Sequence, residues 1–238
     1  MDTIKTNTLT LYLLEEAVAY HRWIFEKIRP WLGKSILEVG CGIGNITGLL
    51  LNHGRVIAAD MNKDYLRIIM EKFRSHSNLK EVLLWDIQME PPKELSTVID
   101  TIVCSNVLEH VEDDDSVLKN FHQLLPVGGM LIVLVPAFNI LYNTLDQELG
   151  HFRRYGKKEL TRKLTMSGFK IRYLKFFNLL GILGWFVNGK LLRRQSLSPR
   201  QVRIFNKMVP FLIKVEKIIP LFVGQSLIAV GEKYKGGI

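Results

Sequence analysis

The chain lacks most features of a secreted or membrane-spanning protein. Its 238 residues include only two cysteines, Cys41 and Cys104, far apart in sequence. This argues against a disulfide framework and favours a reducing compartment. The N-terminus has no basic and apolar segments typical of a signal peptide, and no apolar run approaches the about 20 residues of a membrane span. We therefore expect a cytoplasmic protein.

The charge is distributed unevenly along the chain. Residues 1–150 carry 13 basic and 20 acidic side chains, whereas residues 151–238 carry 19 basic and 3 acidic ones. Such asymmetry predicts that the C-terminal part faces an anionic partner, namely lipid headgroups, nucleic acid or a phosphorylated substrate. A solvated basic face is the simpler alternative. The apolar fraction of 47% is sufficient for the core of one large domain.

Short apolar runs alternate with helical patterns along the chain. Strands are predicted at 35–39, 55–60, 81–85, 98–105, 130–135, 170–177 and 226–232, and helices at 11–29, 46–51, 63–74, 113–125 and 157–167. Continuous apolar strands between helices are typical of a parallel sheet covered on both faces. The fold class is therefore α/β, with a doubly wound, mostly parallel seven-stranded sheet.

Two segments lie outside this alternation. Residues 1–30 are expected to form an N-terminal helical cap on a main domain of residues 31–238. A helical insert at about 178–225 precedes the last strand.

A glycine-rich turn, Glu38-Val-Gly40-Cys-Gly42-Ile-Gly44, follows the first predicted strand. Glycines permit a tight turn and let a ligand approach the backbone, and free N–H groups at the next helix start favour a negative ligand group. The spacing is G-x-G-x-G, with Asn45 at the sixth position. This departs from the G-x-G-x-x-G of dinucleotide sites and argues against a pyrophosphate cofactor.

The turn resembles the first motif of class I S-adenosylmethionine-dependent methyltransferases, in which an acidic residue precedes G-x-G-x-G. The resemblance covers about residues 35–136 and extends to the bacterial type 11/12 subgroup of small-molecule and quinone enzymes. It implies a Rossmann-like fold, S-adenosylmethionine as methyl donor and S-adenosylhomocysteine as product. The cofactor-binding residues that it implies are Glu38, Gly40, Cys41, Gly42, Gly44, Asp60, Met61, Asp86, Ile87, Asn106, Val107 and His110.

Several of these positions have specific expected roles. Asp60 ends the second strand, 22 residues after Glu38, and its carboxylate can accept both ribose hydroxyl protons. By the resemblance, Asp86 and Ile87 read the adenine, and residues 105–110 line the methionine end. The turn at 125–129 also resembles the family's turn before strand five. Cys41 is interpreted as a small buried filler, not a nucleophile.

Simpler interpretations stay open for neighbouring residues. Glu109 and His110 could merely cap the following helix. The acidic run 112–115 suits a helix start, with Asp113 as its N-cap, better than a metal cluster, so no metal site is predicted. Three ring residues of the N-terminal helix either fold over the cofactor or pack in the core. These are Tyr20, His21 and Trp23.

Residues 137–156, after the fifth strand, are predicted to form a polar, aromatic-bearing connection. This segment holds the densest polar and aromatic cluster of the chain, which is the predicted acceptor site. Methyl transfer needs in-line positioning and exclusion of water, and a hydroxyl acceptor also benefits from a base. We predict His151 as that base, because imidazole titrates near neutral pH, and Asp146 as the group that orients it. The alternative is that His151 caps a helix or contacts solvent.

Four more residues are predicted to contact the acceptor. Arg153 and Arg154 could hold an anionic group such as phosphate or carboxylate, with Tyr142 and Tyr155 beside them. The stretch resembles one in bacterial enzymes linked to quinone, polyprenyl-lipid or glycan pathways. In the alternative, the arginines only cap the following helix or contact solvent.

The insert combines apolar and basic residues. A nine-residue apolar run at 179–187, too short to span a bilayer, is followed by Lys190, Arg193 and Arg194. Such a pattern suits an interfacial helix, which predicts peripheral attachment to an anionic membrane at its cytoplasmic face. A lid over the acceptor pocket or a dimer face would use the same residues, and the sequence does not indicate an oligomeric state.

The combined expectation is S-adenosylmethionine-dependent methyl transfer to a small or lipid-linked acceptor at a hydroxyl group. An RNA methyltransferase is the first alternative. It is less favoured because the chain has no recognisable RNA-binding module, and residues 105–110 do not read N-P-P-Y or D-P-P-Y. A non-catalytic S-adenosylmethionine-binding protein is the second.

Overall fold

A seven-stranded sheet organises the chain. The structure is a computed structural model that describes residues 3–92, 95, 99–218 and 222–235. The strands are β1 Ser35–Val39, β2 Arg55–Asp60, β3 Leu79–Leu84, β4 Thr101–Ser105, β5 Met130–Pro136, β6 Phe169–Phe177 and β7 Ser226–Lys233. Their order in the sheet is β3-β2-β1-β4-β5-β7-β6.

Helices cover both faces of this sheet. They are α1 Thr3–Glu15, α2 Val18–Ile28, α3 Thr47–Leu51, α4 Lys63–Phe73, α5 Asp114–Leu124, α6 Thr144–Glu148, α7 Lys157–Met166, α8 Leu179–Trp185 and α9 Pro199–Ile218. Short 3-10 segments lie at Arg29–Trp31, Leu108–His110 and Asn139–Leu141, and a π-helical segment at Phe186–Leu191. The predicted α/β fold with a helical insert before the last strand is confirmed.

The strand directions bring the carboxyl ends of six strands to one edge of the sheet. β1 pairs in parallel with β2 and β4, as do β2 with β3 and β4 with β5, whereas β7 is antiparallel to both β5 and β6. The carboxyl ends of β1 to β6 therefore meet at one edge. In such sheets ligands bind at the carboxyl ends of the strands.

Two apolar layers flank the sheet. One packs Phe121, Leu160 and Leu164 of α5 and α7 against one face. The other packs Trp23 of α2 and Leu212 of α9 against the opposite face. All five residues of β1 are buried, which explains its continuous apolar pattern in sequence.

The N-terminal segment differs from the single helix predicted at 11–29. Two helices, α1 and α2, replace it, because the first N–H groups of α2 receive a cap from α9. Oδ1 of Asn206 accepts the N–H groups of Ala19 and Tyr20 at 2.9 and 3.2 Å, and its Nδ2 donates to the Glu16 carbonyl at 3.2 Å. A residue far along the chain thus determines where α2 begins.

Smaller differences concern element ends and one helix. β3 begins two residues before the predicted strand, and β4 begins at Thr101; Val98, the predicted start, lies outside the described residues. Residues 137–156 were expected as a connection, but α6 forms within them because Asn143 and Asp146 make a capping box. Among the described helices, none combines the length and apolar character that crossing a bilayer requires.

Candidate active site

The turn between β1 and α3 is built on three glycines in the left-handed region. Gly40, Gly42 and Gly44 have φ values of 67°, 53° and 91°, which residues with a side chain rarely adopt. A Cβ atom at Gly40 would collide with Val107, and one at Gly42 would lie 3.2 Å from Cδ1 of Leu11. The turn needs glycine both for its backbone conformation and for these close approaches.

The Asp60 carboxylate joins this turn to the end of β2. Its Oδ2 accepts the N–H of Gly42 at 2.9 Å, and its Oδ1 accepts the N–H of Asn62 at 2.9 Å. Burial raises the pKa of Asp60, while backbone N–H groups at Asn62, Gly42 and Met61 oppose that rise. A carboxylate has about four lone-pair sites, so Asp60 keeps acceptor capacity for a ribose hydroxyl.

Glu38 is a second buried carboxyl group at this edge. It is the second-last residue of β1 and lies beside Thr47 at the start of α3. Burial raises the pKa of Glu38 to about 8; the Thr47 hydroxyl opposes this rise and the nearby Asp60 charge adds to it. Two neighbouring buried acids make this part of the site suited to a ligand that carries positive charge.

The ends of β2 and β3 present the other predicted donor-site residues. Asp86 is half-buried, and its Oδ1 accepts the N–H of Gln88 at 3.0 Å. Ile87 is buried, whereas Met61 is 68% exposed. β2 and β3 are neighbours in the sheet, so these residues share one edge with Asp60.

The segment after β4 closes the site opposite the glycine turn. Asn106 has a φ of 54°, an uncommon conformation for a non-glycine residue, and its N–H donates to the Leu134 carbonyl at 2.8 Å. Val107 then packs against Gly40. The structure thus brings the predicted β4 residues to the turn after β1.

Helix α1 lies over the glycine turn. Asn45 Nδ2 donates to the Leu11 carbonyl at 3.1 Å. Lys72 Nζ connects the Glu15 carboxylate at 2.6 Å with the Ile43 carbonyl at 3.0 Å. Residues predicted as an N-terminal cap therefore contact the turn directly.

The three ring residues of α2 have different surroundings. Trp23 is buried in the core, with its ring centroid 4.4 Å from that of Phe177, and the Tyr20 centroid lies 5.8 Å from the same ring. His21 lines a small cavity with Gly44. For Trp23 and Tyr20, the structure supports core packing.

Asp146 is the centre of the predicted acceptor site. Its side chain is fully buried, and its Oδ1 lies 2.8 Å from both His151 Nδ1 and Arg154 Nε. Its Oδ2 accepts the Asn143 N–H at 3.0 Å and the Trp185 indole N–H at 3.0 Å. Burial alone would raise the pKa of Asp146, but the hydrogen bond from His151 and the Arg154 charge outweigh it and lower the pKa.

The Asp146 contact determines the state of His151. An ionised carboxylate can only accept, so Nδ1 of His151 carries the proton and Nε2 is the free acceptor in the neutral ring. The His151 side chain is 7% exposed. This geometry is the one that the predicted base and its orienting carboxylate require.

Two further ionisable groups surround His151. The ring centroids of His110 and His151 are 4.7 Å apart, and ligating atoms of Glu109, His110 and His151 lie within 4.8 Å of one another. Burial, to which the neighbouring His151 adds, lowers the pKa of His110 to about 3, and burial raises that of Glu109 to about 7. Such a cluster could hold a metal ion or exchange a proton; the absence of a metal stays a prediction.

The predicted acceptor-binding residues are held within the protein. Arg154 is buried, with its Nη1 donating to the Ala137 carbonyl at 3.0 Å and its guanidinium 5.0 Å from the Trp185 ring centroid. Arg153 Nη2 donates to the Glu112 carbonyl at 2.6 Å. That Arg153 and Arg154 bind an acceptor anion stays a prediction. Their hydrogen bonds to groups of the protein itself do not favour it.

The remaining predicted site residues, Tyr155, Tyr142 and Cys41, also contact other parts of the protein or are buried. The Tyr155 hydroxyl is buried and donates to Asp114 at 2.7 Å. The Tyr142 hydroxyl donates to the His151 carbonyl at 2.7 Å and so supports the backbone of the predicted base. Cys41 is a buried free thiol whose pKa is raised by burial.

The acidic run 112–115, at the start of α5, forms a network of hydrogen bonds and ion pairs. Asp113 accepts the Ser116 N–H at 3.1 Å, which confirms it as the N-cap of α5. Asp114 lies 2.7 Å from Lys163 Nζ and 3.0 Å from Arg153 Nη1. The run thereby connects α5 with α7.

The sequence analysis missed Trp185 and Asn143 as neighbours of Asp146. Trp185 belongs to the apolar run 179–187, for which an interfacial helix, a lid and a dimer face were the alternatives. Asn143 had a local signal, because Asn at N-cap and Asp three residues later form a capping box. Trp185 had none, since its partner is 39 residues away.

Comparison with known proteins agrees with this geometry. Residues 37–131 match a family model described as a methyltransferase domain. The ubiquinone biosynthesis O-methyltransferase of Aeromonas salmonicida (strain A449) is 32% identical over 115 residues, which are 47% of this chain and 47% of that protein. The chain thus spans about half the length of the curated relatives that it matches.

Solved structures share the fold over most of the chain. A SAM-dependent methyltransferase from Archaeoglobus fulgidus has a TM-score of 0.58 at 17% identity, covering 90% of this chain and 94% of that one. The N-methyltransferase NodS from Bradyrhizobium japonicum WM9, in complex with S-adenosyl-L-homocysteine, has a TM-score of 0.58 at 16% identity, covering 91% and 86%. At these identities the likeness shows the fold alone.

Proposed function

We propose that this chain transfers a methyl group from S-adenosylmethionine to a small-molecule acceptor, as a class I methyltransferase of the type 11/12 kind. The match of residues 37–131 to a methyltransferase-domain family model supports this proposal. The observation that carries the proposal is the pair of buried acids, Glu38 and Asp60, around a left-handed glycine turn. S-adenosylmethionine has a sulfonium and an ammonium group, so an acidic edge complements its charge.

The residues at this edge fit the donor chemically. Asp60 retains acceptor capacity for a ribose hydroxyl, and half-buried Asp86 follows the end of the neighbouring strand β3. Asn106 and Val107 close the opposite side. When bound, the donor supplies a methyl group on a sulfonium leaving group, and S-adenosylhomocysteine is the product.

We further propose that the acceptor is methylated at a hydroxyl group with His151 as general base. Asp146 keeps the proton on Nδ1, so Nε2 of His151 can take the hydroxyl proton of the acceptor. The 7% exposure of the His151 side chain favours exclusion of water around this transfer. The name of the Aeromonas relative, an O-methyltransferase, supports an oxygen acceptor.

The finer proposal is a lipid-linked acceptor reached at the cytoplasmic face of a membrane. The basic C-terminal part, with 19 basic and 3 acidic residues, supports it. So does the position of the insert, because Trp185 of α8 contacts Asp146 directly. An acceptor that enters along the insert would therefore arrive beside the proposed base.

Donor binding tests the central proposal. Isothermal calorimetry on ligand-stripped protein should detect S-adenosylmethionine, and Asp60→Asn should weaken its affinity at least about tenfold through loss of charge-assisted hydrogen bonds. Asp64→Asn is the matched control, because the Asp64 side chain is 78% exposed. No heat from the wild-type protein would overturn the proposal.

Acceptor class is tested by transfer of a labelled methyl group. The purified enzyme is incubated with lipid, aqueous and RNA fractions of cells, and the labelled product is identified by mass spectrometry. We expect label in the lipid fraction. Label in the aqueous fraction would exclude the lipid-linked acceptor, label in RNA would favour the alternative substrate, and donor binding without transfer to any fraction would favour a non-catalytic binder.

A further inference from the structure

The outward side of α9 carries an apolar stripe and a basic stripe next to each other. At about 100° per residue, Ile204, Met208, Phe211 and Ile218 share one arc. Their exposed fractions range from 42% to 82%. This side of the helix therefore leaves large apolar side chains in solvent.

The basic stripe lies directly beside the apolar one. The exposed residues Arg200, Arg203, Lys207 and Lys214 form it. Together the two stripes are called the α9 outer face. The opposite side of the helix holds the buried residues Val202, Val209 and Leu212, so the helix is fixed to the domain with its outer face outward.

The charge of the α9 outer face is poorly compensated. Glu216 is the single acidic residue between 199 and 218, and it is half-buried, with its Oε1 accepting the Leu179 N–H at 2.9 Å. Arg203 has an exposed ion pair with Glu16 at 3.5 Å, which contributes little in water. The insert as a whole has eight basic residues and one acidic residue.

We propose that the α9 outer face docks on a bilayer containing anionic phospholipid. An apolar stripe that enters the headgroup boundary, flanked by cations that meet lipid phosphates, is the arrangement of an interfacial helix. Nucleic acid would use the cations but leave Ile204, Met208 and Ile218 of the apolar stripe without a partner. A second copy of the chain would place two basic stripes together, which is unfavourable.

Docking of this face has a consequence for the site already described. α8 and α9 belong to one insert, and α8 contacts the Asp146 carboxylate through Trp185. Docking of α9 would therefore bring the Asp146 side of the site close to the membrane. The docking proposal rests on the proposed lipid-linked acceptor and adds to it the surface and the lipid class. It requires no membrane-spanning helix.

Vesicle flotation of the full chain tests the docking surface. The protein is mixed at low salt with vesicles of phosphatidylcholine, alone or with phosphatidylglycerol. We expect flotation with the anionic vesicles only, and its loss at high salt. Phe211→Gln should weaken partition at least about tenfold because an aromatic side chain is no longer buried. Lys207→Gln with Lys214→Gln should weaken it about 25-fold, since each cation near an anionic surface contributes about fivefold.

Matched variants elsewhere on the surface control for general effects. Met166 is an apolar side chain of α7 with 68% exposure, so Met166→Gln is the control for Phe211→Gln. Lys157→Gln with Lys158→Gln removes two exposed lysines at the start of α7. Both controls should float like the wild type, and thermal unfolding checks that every variant is folded.

Three results would overturn the docking proposal. They are no flotation with anionic vesicles at low salt, equal flotation of the α9 and control variants, or binding that depends on the lysines but not on Phe211 and is competed by RNA. Calorimetry with S-adenosylmethionine, without vesicles, is run on the same protein. Intact donor binding without flotation rejects the docking surface alone, whereas absent donor binding rejects the methyltransferase proposal.

Discussion

The two sides of the candidate active site bury carboxylates in different ways. On the donor side, Glu38 and Asp60 interact with a hydroxyl and with backbone N–H groups, and burial raises the pKa of both. On the acceptor side, Asp146 is held by His151 and Arg154, whose contacts lower its pKa despite burial. The donor-side acids therefore have no cationic partner among these contacts, whereas Asp146 on the acceptor side is paired with the Arg154 guanidinium.

The buried Asp114 follows the acceptor-side pattern. It contacts Lys163 at 2.7 Å, Arg153 at 3.0 Å and the Tyr155 hydroxyl at 2.7 Å. These partners all come from the basic C-terminal part of the chain. A carboxylate that is fully paired can position a histidine but offers little to a ligand, whereas the donor-side acids remain suited to a cationic ligand.

The largest expected effect concerns His151. Replacing it by alanine should lower kcat at least about hundredfold, because a general base contributes about 100-fold to 10,000-fold. Donor affinity should not change, since His151 lies on the acceptor side. Steady-state turnover and donor calorimetry are compared with His53→Ala, which alters a residue just before the start of β2. Near-normal turnover would remove His151 from the mechanism.

A pair of glycine variants tests the donor side. Gly40 and Gly128 both have positive φ, 67° and 85°, but an added Cβ at Gly40 meets Val107, whereas at Gly128 nothing lies within 4 Å. Gly128→Ala should lose about 1–2 kcal/mol of stability, and Gly40→Ala should lose more because of the collision with Val107. Only Gly40→Ala should also weaken donor affinity, by about tenfold or more in calorimetry. Equal donor affinities would show that the turn does not contact the donor.

The pH dependence of stability should have opposite signs on the two sides. Glu38 has a folded pKa of about 8 against an ordinary 4.5, so its contribution is full below 4.5 and decreases as pH rises towards 8. Glu38→Gln should therefore gain stability relative to the wild type over this range, by up to a few kcal/mol. The measurement is chemical unfolding at several pH values.

Chemical unfolding of Asp146→Asn at the same pH values tests the acceptor side. The folded pKa of Asp146 is below its ordinary value of 3.8, so its contribution is present above 3.8 and is lost as pH falls through the folded pKa. The variant should be less stable than the wild type at neutral pH, by about 3–5 kcal/mol, because Arg154 loses its buried partner. The same sign for both variants would contradict the comparison.

A smaller effect is expected from Trp185. Trp185→Phe removes one of four donors to the ionised Asp146 carboxylate, and a hydrogen bond to a charged group contributes about 1.5–3 kcal/mol to stability. We expect kcat to fall about fivefold with donor affinity unchanged. Trp31→Phe, in the 3-10 segment before β1, is the matched control. A change in donor affinity would show that α8 also supports the donor side.

The smallest expected effect is that of chelation. If the group of Glu109, His110 and His151 exchanges protons and holds no metal, EDTA should leave turnover within about twofold. Restoration of lost activity by one divalent cation would instead identify a metal site there. Elemental analysis of the purified protein distinguishes a bound metal from contamination.

The donor side was predictable because its residues lie at or just beyond the carboxyl ends of predicted strands. Asp60 and Asp86 follow apolar runs, and parallel strands bring their carboxyl ends to one edge without further information. The acceptor side was predictable only as a cluster in sequence. Which of its residues pair with one another depended on α6, whose capping box determines where Asp146 points.

By itself the sequence determined the sheet, the glycine turn and the acidic strand ends, since strand periodicity and turn conformation are local properties. Tertiary structure alone decided that Asn206 divides the N-terminal helix, that Arg154 is buried against Asp146, and that Trp185 reaches the same carboxylate. These contacts join residues separated by 187, 8 and 39 positions. Their physical cause is that buried polar groups must find partners, and the folded chain supplies them from whichever segments packing brings near.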